Sequence, residues 1–294
     1  ITVTDPSVPL WMISTEGKPA WLYDRFFLLI DEYGQGEADV KRAVAEIFLN
    51  GGTAPWYLPA GSIRVACSND GIRHGVTKDF DFCIARRTLI DVKGDIDVWL
   101  RYADKPYMHQ GVMWQTQSIV KAWAATHPEI LFEPAPKEQG PWCNPRSLCA
   151  ADRYLQMKWA GVPANQQKID GPIMETLAGT IGMGATQSLA QHLTFRLELP
   201  PYDDVVADPA GTPVPGKADL LMLMAYELAA YVKPADLAPV IQYMNRKEVP
   251  KDMAITFVTA LLRRDYKNMI NAAPMQAWIN KNANLLSLIG TLVN

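Results

Sequence analysis

Five apolar residues in succession, Phe26 to Ile30, stop at two adjacent carboxylates, Asp31 and Glu32. A run without polar alternation has no face to give to water, so it predicts a strand of a mainly parallel sheet covered on both sides by helices. "EADVKRAVAEIFLNGG" follows, with Val40, Ala43, Val44, Ile47 and Phe48 at helical spacing and the Gly51-Gly52 pair as its stop. "IRVACS" (63–68) and "RTLIDV" (87–92) read as two further strands, and "DIDVWLRYA" as a helix. The alternation predicts an α/β domain over residues 1–105. In such sheets ligands bind outside the carboxyl ends of the strands, which singles out Asp31, Glu32, Ser68 and Asn69, all at one edge if the first two strands are parallel neighbours.

From residue 106 the pattern is helical: "GVMWQTQSIVKAWAATHP", "SLCAADRYLQMKWAG", "METLAGTIGMGATQSLAQHL", "ADLLMLMAYELAAYV" and "PADLAPVIQYMNRK". The division expected is a helical region over 106–198, then a Pro-rich loop, "LPPYDDVVADPAGTPVPGKAD" (199–219), opening a helical C-terminal region over 199–294. The acidic part of that loop suits a solvated surface or a partner-docking arm. Trp99, Trp114, Trp123 and Trp159, with Met222, Met224 and Tyr226, are assigned to packing; Trp11 and Trp56, in loop contexts, suit packing or a subunit interface.

The 294 residues are 49% hydrophobic and 20% charged, with a formal net charge of −3, as in a folded globular protein. No broad basic field exists for nucleic acid phosphates, which disfavours that partner. No apolar run approaches the roughly 20 residues of a membrane span, and the first residues lack the pattern of a signal peptide. Four scattered cysteines (Cys67, Cys83, Cys143, Cys149) and four histidines (His74, His109, His127, His192) show no zinc-type spacing, and a cytoplasmic location is expected.

An apolar strand ending in Asp-Glu matches the Walker B pattern of P-loop ATPases, in which one acid serves Mg²⁺ and the other the attacking water. The surrounding order is more specific. "KPAWLYDRFFLLIDEYGQGEADVKRAVAEIFLNGGTAPWYLPAGSIRVACSND" resembles the AAA+ ATPases of the MoxR-like class: Walker B strand, helix, hairpin-like insert, and a strand ending in the sensor 1 Asn. "DFCIARRTLIDV" resembles their arginine-finger segment, and "PWCNPRSLCAADRYL" their sensor 2 motif at the start of a lid helix. The resemblance spans residues 8–195 and continues more loosely beyond. It implies a partial AAA+ P-loop core, an α-helical lid, and ATP and Mg²⁺ as cofactors. Position by position, it gives Asp31 to Mg²⁺, Glu32 to general base catalysis, Asn69 to holding the water, Arg146 to the γ-phosphate from the lid, and Arg86 rather than Arg87 to a neighbouring subunit's nucleotide. It further implies a ring, expected as a hexamer, that remodels a partner protein, often alongside a protein with a von Willebrand factor A-type domain.

The phosphate loop G-x-x-x-x-G-K-[ST] is missing from the sequence. "GTIGMGATQSL" (179–189) has Gly179, Gly182 and Gly184 but no Lys, and its glycines read as close helix packing or a bend. In the resembled family the phosphate-loop strand lies between the sensor 1 and finger strands, so the chain is expected to be the C-terminal portion of a longer protein and to hydrolyse ATP poorly or not at all by itself. The alternatives are a non-catalytic interaction subunit that kept the fold, and a nucleic-acid motor, weakened by the acidic balance.

Overall fold

The structure is a computed structural model and describes residues 8–69, 76, 79, 84 and 88–283. The chain divides into two compact units, Ile1–Val92 and Lys93–Asn294. It is a mixed α/β protein with a small parallel sheet and flanking helices.

In the first unit, β1 (Phe27–Ile30) leads through a 3₁₀ turn (Tyr33–Gln35) into α1 (Ala38–Asn50). Gly51, at φ 80°, ends α1 by donating its N–H to the Ile47 carbonyl, the left-handed termination that glycine adopts without a Cβ penalty. A short antiparallel ribbon, β2 (Gly52–Thr53) and β3 (Trp56–Tyr57), is the expected hairpin insert. The ring of Trp56 stacks on Trp21 with centroids 5.4 Å apart. β4 (Ile63–Ala66) then pairs with β1 in parallel, Phe27 opposite Ile63 and Ile30 opposite Ala66.

Two expectations fail in this unit. Among the described residues the first strand is covered on one side only: Leu28 is 7% exposed, whereas Phe27 and Leu29 are 61% and 53% exposed, as is Ile63 at 61%. The covered side also carries Arg64, which donates to the Ile47 carbonyl of α1. Among the described residues, nothing plays the same part on the other side. Likewise, residues 88–92 form no strand, and Leu89, Ile90 and Val92 are exposed. A strand exists only through a partner's backbone groups, and no strand among the described residues pairs with this segment.

In the second unit, α2 (Ile96–Ala103) is capped by Asp95, whose carboxylate accepts the Val98 N–H. The hairpin β5 (Tyr107–His109) and β6 (Val112–Trp114) occupies what the periodicity assigned to the start of a helix. Its two-residue turn has Gln110 at φ 49° and Gly111 at φ 77°, the doubly positive backbone that matches strand twist. The helices are then α3 (Ser118–Thr126), α4 (Pro128–Leu131), α5 (Pro145–Lys158), α6 (Gly171–Ile181) and α7 (Met183–Thr194). After them come α8 (Tyr202–Ala207), α9 (Ala218–Tyr231), α10 (Leu237–Met244), α11 (Lys251–Met269), kinked at Asp265, and α12 (Ala273–Lys281).

α9 is the core element. It packs on both α3 and α11, and eight of its residues, Leu220 and Tyr226 among them, are buried. A helix apolar around most of its circumference must lie inside. Trp99, Trp123 and Trp159 join this core as expected, while Trp114 stands on β6. Gly182, at φ 82°, is the bend between α6 and α7, and a Cβ there would lie 3.0 Å from the Pro141 carbonyl oxygen. α8 interrupts the segment expected to be loop. Pro201 at its N-cap has an extended backbone, and Asp203 and Asp204 in its first turn suit the positive end of the dipole.

Candidate functional site

Parallel pairing of β1 with β4 brings the two chain exits to one edge. The ladder runs on past the strands: Cys67 N–H donates to the Ile30 carbonyl, and Tyr33 N–H donates to the Cys67 carbonyl, at 2.8 and 2.9 Å. Asp31-Glu32 and Ser68-Asn69 are thereby held side by side. The amide Nδ2 of Asn69 donates to Glu32 Oε2 at 3.4 Å, a long hydrogen bond between exposed side chains.

Glu32 sits in the left-handed region, φ 55° and ψ 27°, sparsely populated by residues with a Cβ. Local bonds hold it there: Asp31 Oδ1 accepts the Glu32 N–H at 3.0 Å, and the Glu32 carbonyl accepts the Gln35 N–H at 3.0 Å. A non-glycine residue kept in this conformation at an exposed strand end is the kind of local strain found at functional sites.

Two supporting residues escaped the sequence reading. Gly34 is buried, and a Cβ on it would fall 1.9 Å from Ser68 Oγ and 3.1 Å from Ser68 Cβ and Val76 Cγ1, so the close approach of the two loops leaves little room for a side chain at position 34. Lys41 of α1 is 1% exposed and pairs with Asp79 at 3.0 Å, its ammonium 5.3 Å from the centre of the Tyr33 ring. A lysine one residue from the apolar stripe Val40, Ala43, Val44 and Ile47 carries no sign of burial. The glycine had a signal, "DEYGQG", in which a turn must follow the strand at once.

Arg146 lies in the second unit, in the first turn of α5. There Asn144 Oδ1 accepts the N–H groups of Arg146 and Ser147, and Ser147 Oγ accepts the Asn144 N–H, a reciprocal cap closed by Pro145 at the first helical position. The Arg146 side chain is exposed and has no ion pair among the described residues. Arg86 and Arg87 lie outside the described residues.

Among the described residues no group of three or more His, Cys, Asp or Glu side chains that could hold a metal ion is present, so the strand-end acids would give Mg²⁺ a single carboxylate at most. Asp31 gives one carboxylate oxygen to the Glu32 N–H and its other has no partner among the described residues, which suits a cation that keeps most of its waters. Glu32 is an exposed carboxylate that accepts directly from the Asn69 amide. Phosphate groups are not provided for in the same way, because the phosphate-gripping loop is absent from these 294 residues. Among the described residues, no helix is long and apolar enough to cross a membrane. No protein-family model, curated protein or solved structure matches the chain at a significant level.

Proposed function

We propose that this chain carries the water-activating part of a Mg²⁺-dependent AAA+ ATPase of the MoxR-like class, working as a cytoplasmic ring that remodels a partner protein. The observation that carries the reading is the meeting of Glu32 and Asn69 across two parallel strands. An Asp-Glu pair at a strand end is common. An Asp-Glu pair whose glutamate is reached by an asparagine from the carboxyl end of the adjacent parallel strand is the arrangement that water activation needs.

In this reading Glu32 accepts the water's proton and Asn69 fixes the water through its amide. Bound Mg²⁺ would supply charge neutralisation for the phosphates, with Asp31 as its carboxylate. Arg146 belongs to the lid, and Arg86 serves a neighbouring subunit's site. The phosphate grip comes from a segment outside these 294 residues. A von Willebrand factor A-type protein is the partner that the resemblance suggests.

A second reading, a non-catalytic interaction subunit, is favoured by the missing phosphate loop and by the uncovered face of Phe27, Leu29 and Ile63. One experiment separates the two. The coding sequence upstream of Ile1 is read, the longest natural chain is expressed, and Mg²⁺-dependent ATP hydrolysis is measured for it and for Glu32→Gln. A G-x-x-x-x-G-K-[ST] segment with turnover that Glu32→Gln removes supports the ATPase. A chain without that segment and without turnover supports the interaction subunit.

A further inference from the structure

A second polar site lies wholly within the helical unit. A cavity of about 220 Å³ opens between α3, α9 and α11, and its lining includes Lys121, Arg196 and Arg264. No carboxylate lines it among the described residues. The acids that balance two of these cations bind them from outside the lining: Asp104 takes Lys121 at 2.7 Å, and Glu227 takes Arg196 at 2.6 Å. Arg264 has no carboxylate partner among the described residues; its two terminal nitrogens donate to the Ala230 and Val232 carbonyls at 2.5 and 2.7 Å.

The bland account is that each cation is structural, Arg264 as a cap on the end of α9 and the others as ion pairs. It leaves two observations unexplained. Thr116 also lines the cavity and is 3% exposed, yet its hydroxyl has no hydrogen-bond partner among the described residues. A buried hydroxyl without a partner is costly unless something else completes it. The nine-residue helix α3 begins at the same place, and its N-cap residue Gln117 gives no side-chain cap; the Gln117 N–H and side-chain amide both donate to Asp152 Oδ1, at 3.4 and 3.0 Å. The N–H groups of Ser118, Ile119 and Val120, in the first turn, have no intrahelical partner and lie near the three cations.

We propose that this cavity binds a phosphate group, free or as the end of a small phosphomonoester. Backbone N–H groups at a helix start, planar guanidinium donors and a hydroxyl are the donors that phosphate oxygens accept from. The volume lies below the roughly 300–1,000 Å³ of pockets for drug-sized ligands, so the space suits a small ester rather than a nucleotide. The cavity belongs to the second unit, and its assignment does not depend on that of the strand-end acids.

The test is isothermal titration of the 294-residue chain with sodium phosphate and with glycerol phosphate, each against sodium chloride of equal ionic strength. Saturable one-site binding with a dissociation constant of about 1 mM or tighter is expected for at least one ligand. Tighter binding of phosphate assigns the free ion, and tighter binding of glycerol phosphate assigns the ester. Ala230→Asp, which sets a carboxylate into the lining, should weaken binding at least tenfold. Thr116→Val should weaken it severalfold without lowering the melting temperature, whereas a purely structural cavity would leave the titration unchanged. Glu32→Gln should bind phosphate like the parent chain. The proposal is overturned if neither ligand gives saturable heat, or if Ala230→Asp and Thr116→Val both bind as the parent does.

Discussion

Asn69 Nδ2 lies 3.4 Å from Glu32 Oε2, although 37 residues separate them in the chain. The contact exists because β1 and β4 run parallel and in register, so both strands release their last residues at one edge. If that pair positions a water, its members act as a unit. In the longest natural chain that hydrolyses ATP, Glu32→Gln is expected to lower kcat by about 10²–10⁴-fold. Asn69→Ala should lower it too, and the double variant should be little worse than Glu32→Gln alone. Additive losses would mean that the two side chains act independently.

Gly34 sets how closely the two exits approach. Gly34→Ala places a methyl group 1.9 Å from Ser68 Oγ and 3.1 Å from Ser68 Cβ. Overpacking of this sort costs about 1–3 kcal/mol, read as a lower urea midpoint. Ser68→Gly removes both atoms and should restore part of the loss in the Gly34→Ala background, the 3.1 Å contact with Val76 Cγ1 remaining. A failure of that rescue would place the strain elsewhere.

These two residues also show what a sequence can and cannot disclose. The apolar run 26–30, the helix ended by Gly51-Gly52 and the Asn-Pro-Arg-Ser cap at 144–147 are local, and local chemistry decides them. What failed was non-local. An unbroken apolar strand implies cover on both faces, but Phe27 and Leu29 are exposed because cover comes from elements elsewhere in a chain. "RTLIDV" has strand composition, but composition cannot supply a neighbouring strand. The Gln110-Gly111 turn was hidden by helical spacing on either side of it. The phosphate cavity draws on residues 116, 121, 196 and 264, a set no local pattern could assemble.

Lys41 tests the support behind the acidic turn. Its ammonium is buried against Asp79, whose own side chain is 14% exposed. Lys41→Met removes the cation that pairs with Asp79 and should destabilise the first unit, read as a lower denaturant midpoint. Lys41→Met combined with Asp79→Asn should lose less. Denaturant titration of the four chains, followed through the fluorescence of Trp21 and Trp56, measures the coupling.

At the start of α5, neighbouring residues should separate stability from activity. Asn144→Ala removes an acceptor for two backbone N–H groups and should cost about 1 kcal/mol. Arg146→Ala removes an exposed cation from the positive end of the helix dipole and should leave the melting temperature equal or slightly higher. If Arg146 serves the nucleotide, the same change lowers ATP turnover in the longest natural chain. A stability loss without an activity loss would return Arg146 to a structural role.

His192 gives the helical unit a calculable acid sensitivity. It is 1% exposed, and neither ring nitrogen has a hydrogen-bond partner among the described residues. Burial is the main cause that holds its pKa down to about 4 from an ordinary 6.5; the neighbouring His127 adds to it and Asp219 opposes it. The unfolded chain therefore takes up a proton below about pH 6.5 that the folded chain refuses until about pH 4. Stability from this group is complete above pH 6.5 and declines as pH falls, by up to about 3 kcal/mol. Asp152 works in the opposite sense. Burial raises its carboxyl from 3.8 to about 6, so its contribution falls as pH rises through that interval. The two partly cancel between about pH 4 and 6, which makes the parent chain a poor probe of either. The difference in unfolding free energy between His192→Leu and the parent isolates the histidine. It should shift in favour of the variant as pH falls from 6.5 to 4, while a pH-independent difference would show that His192 is already protonated, or accessible to water, in the folded state.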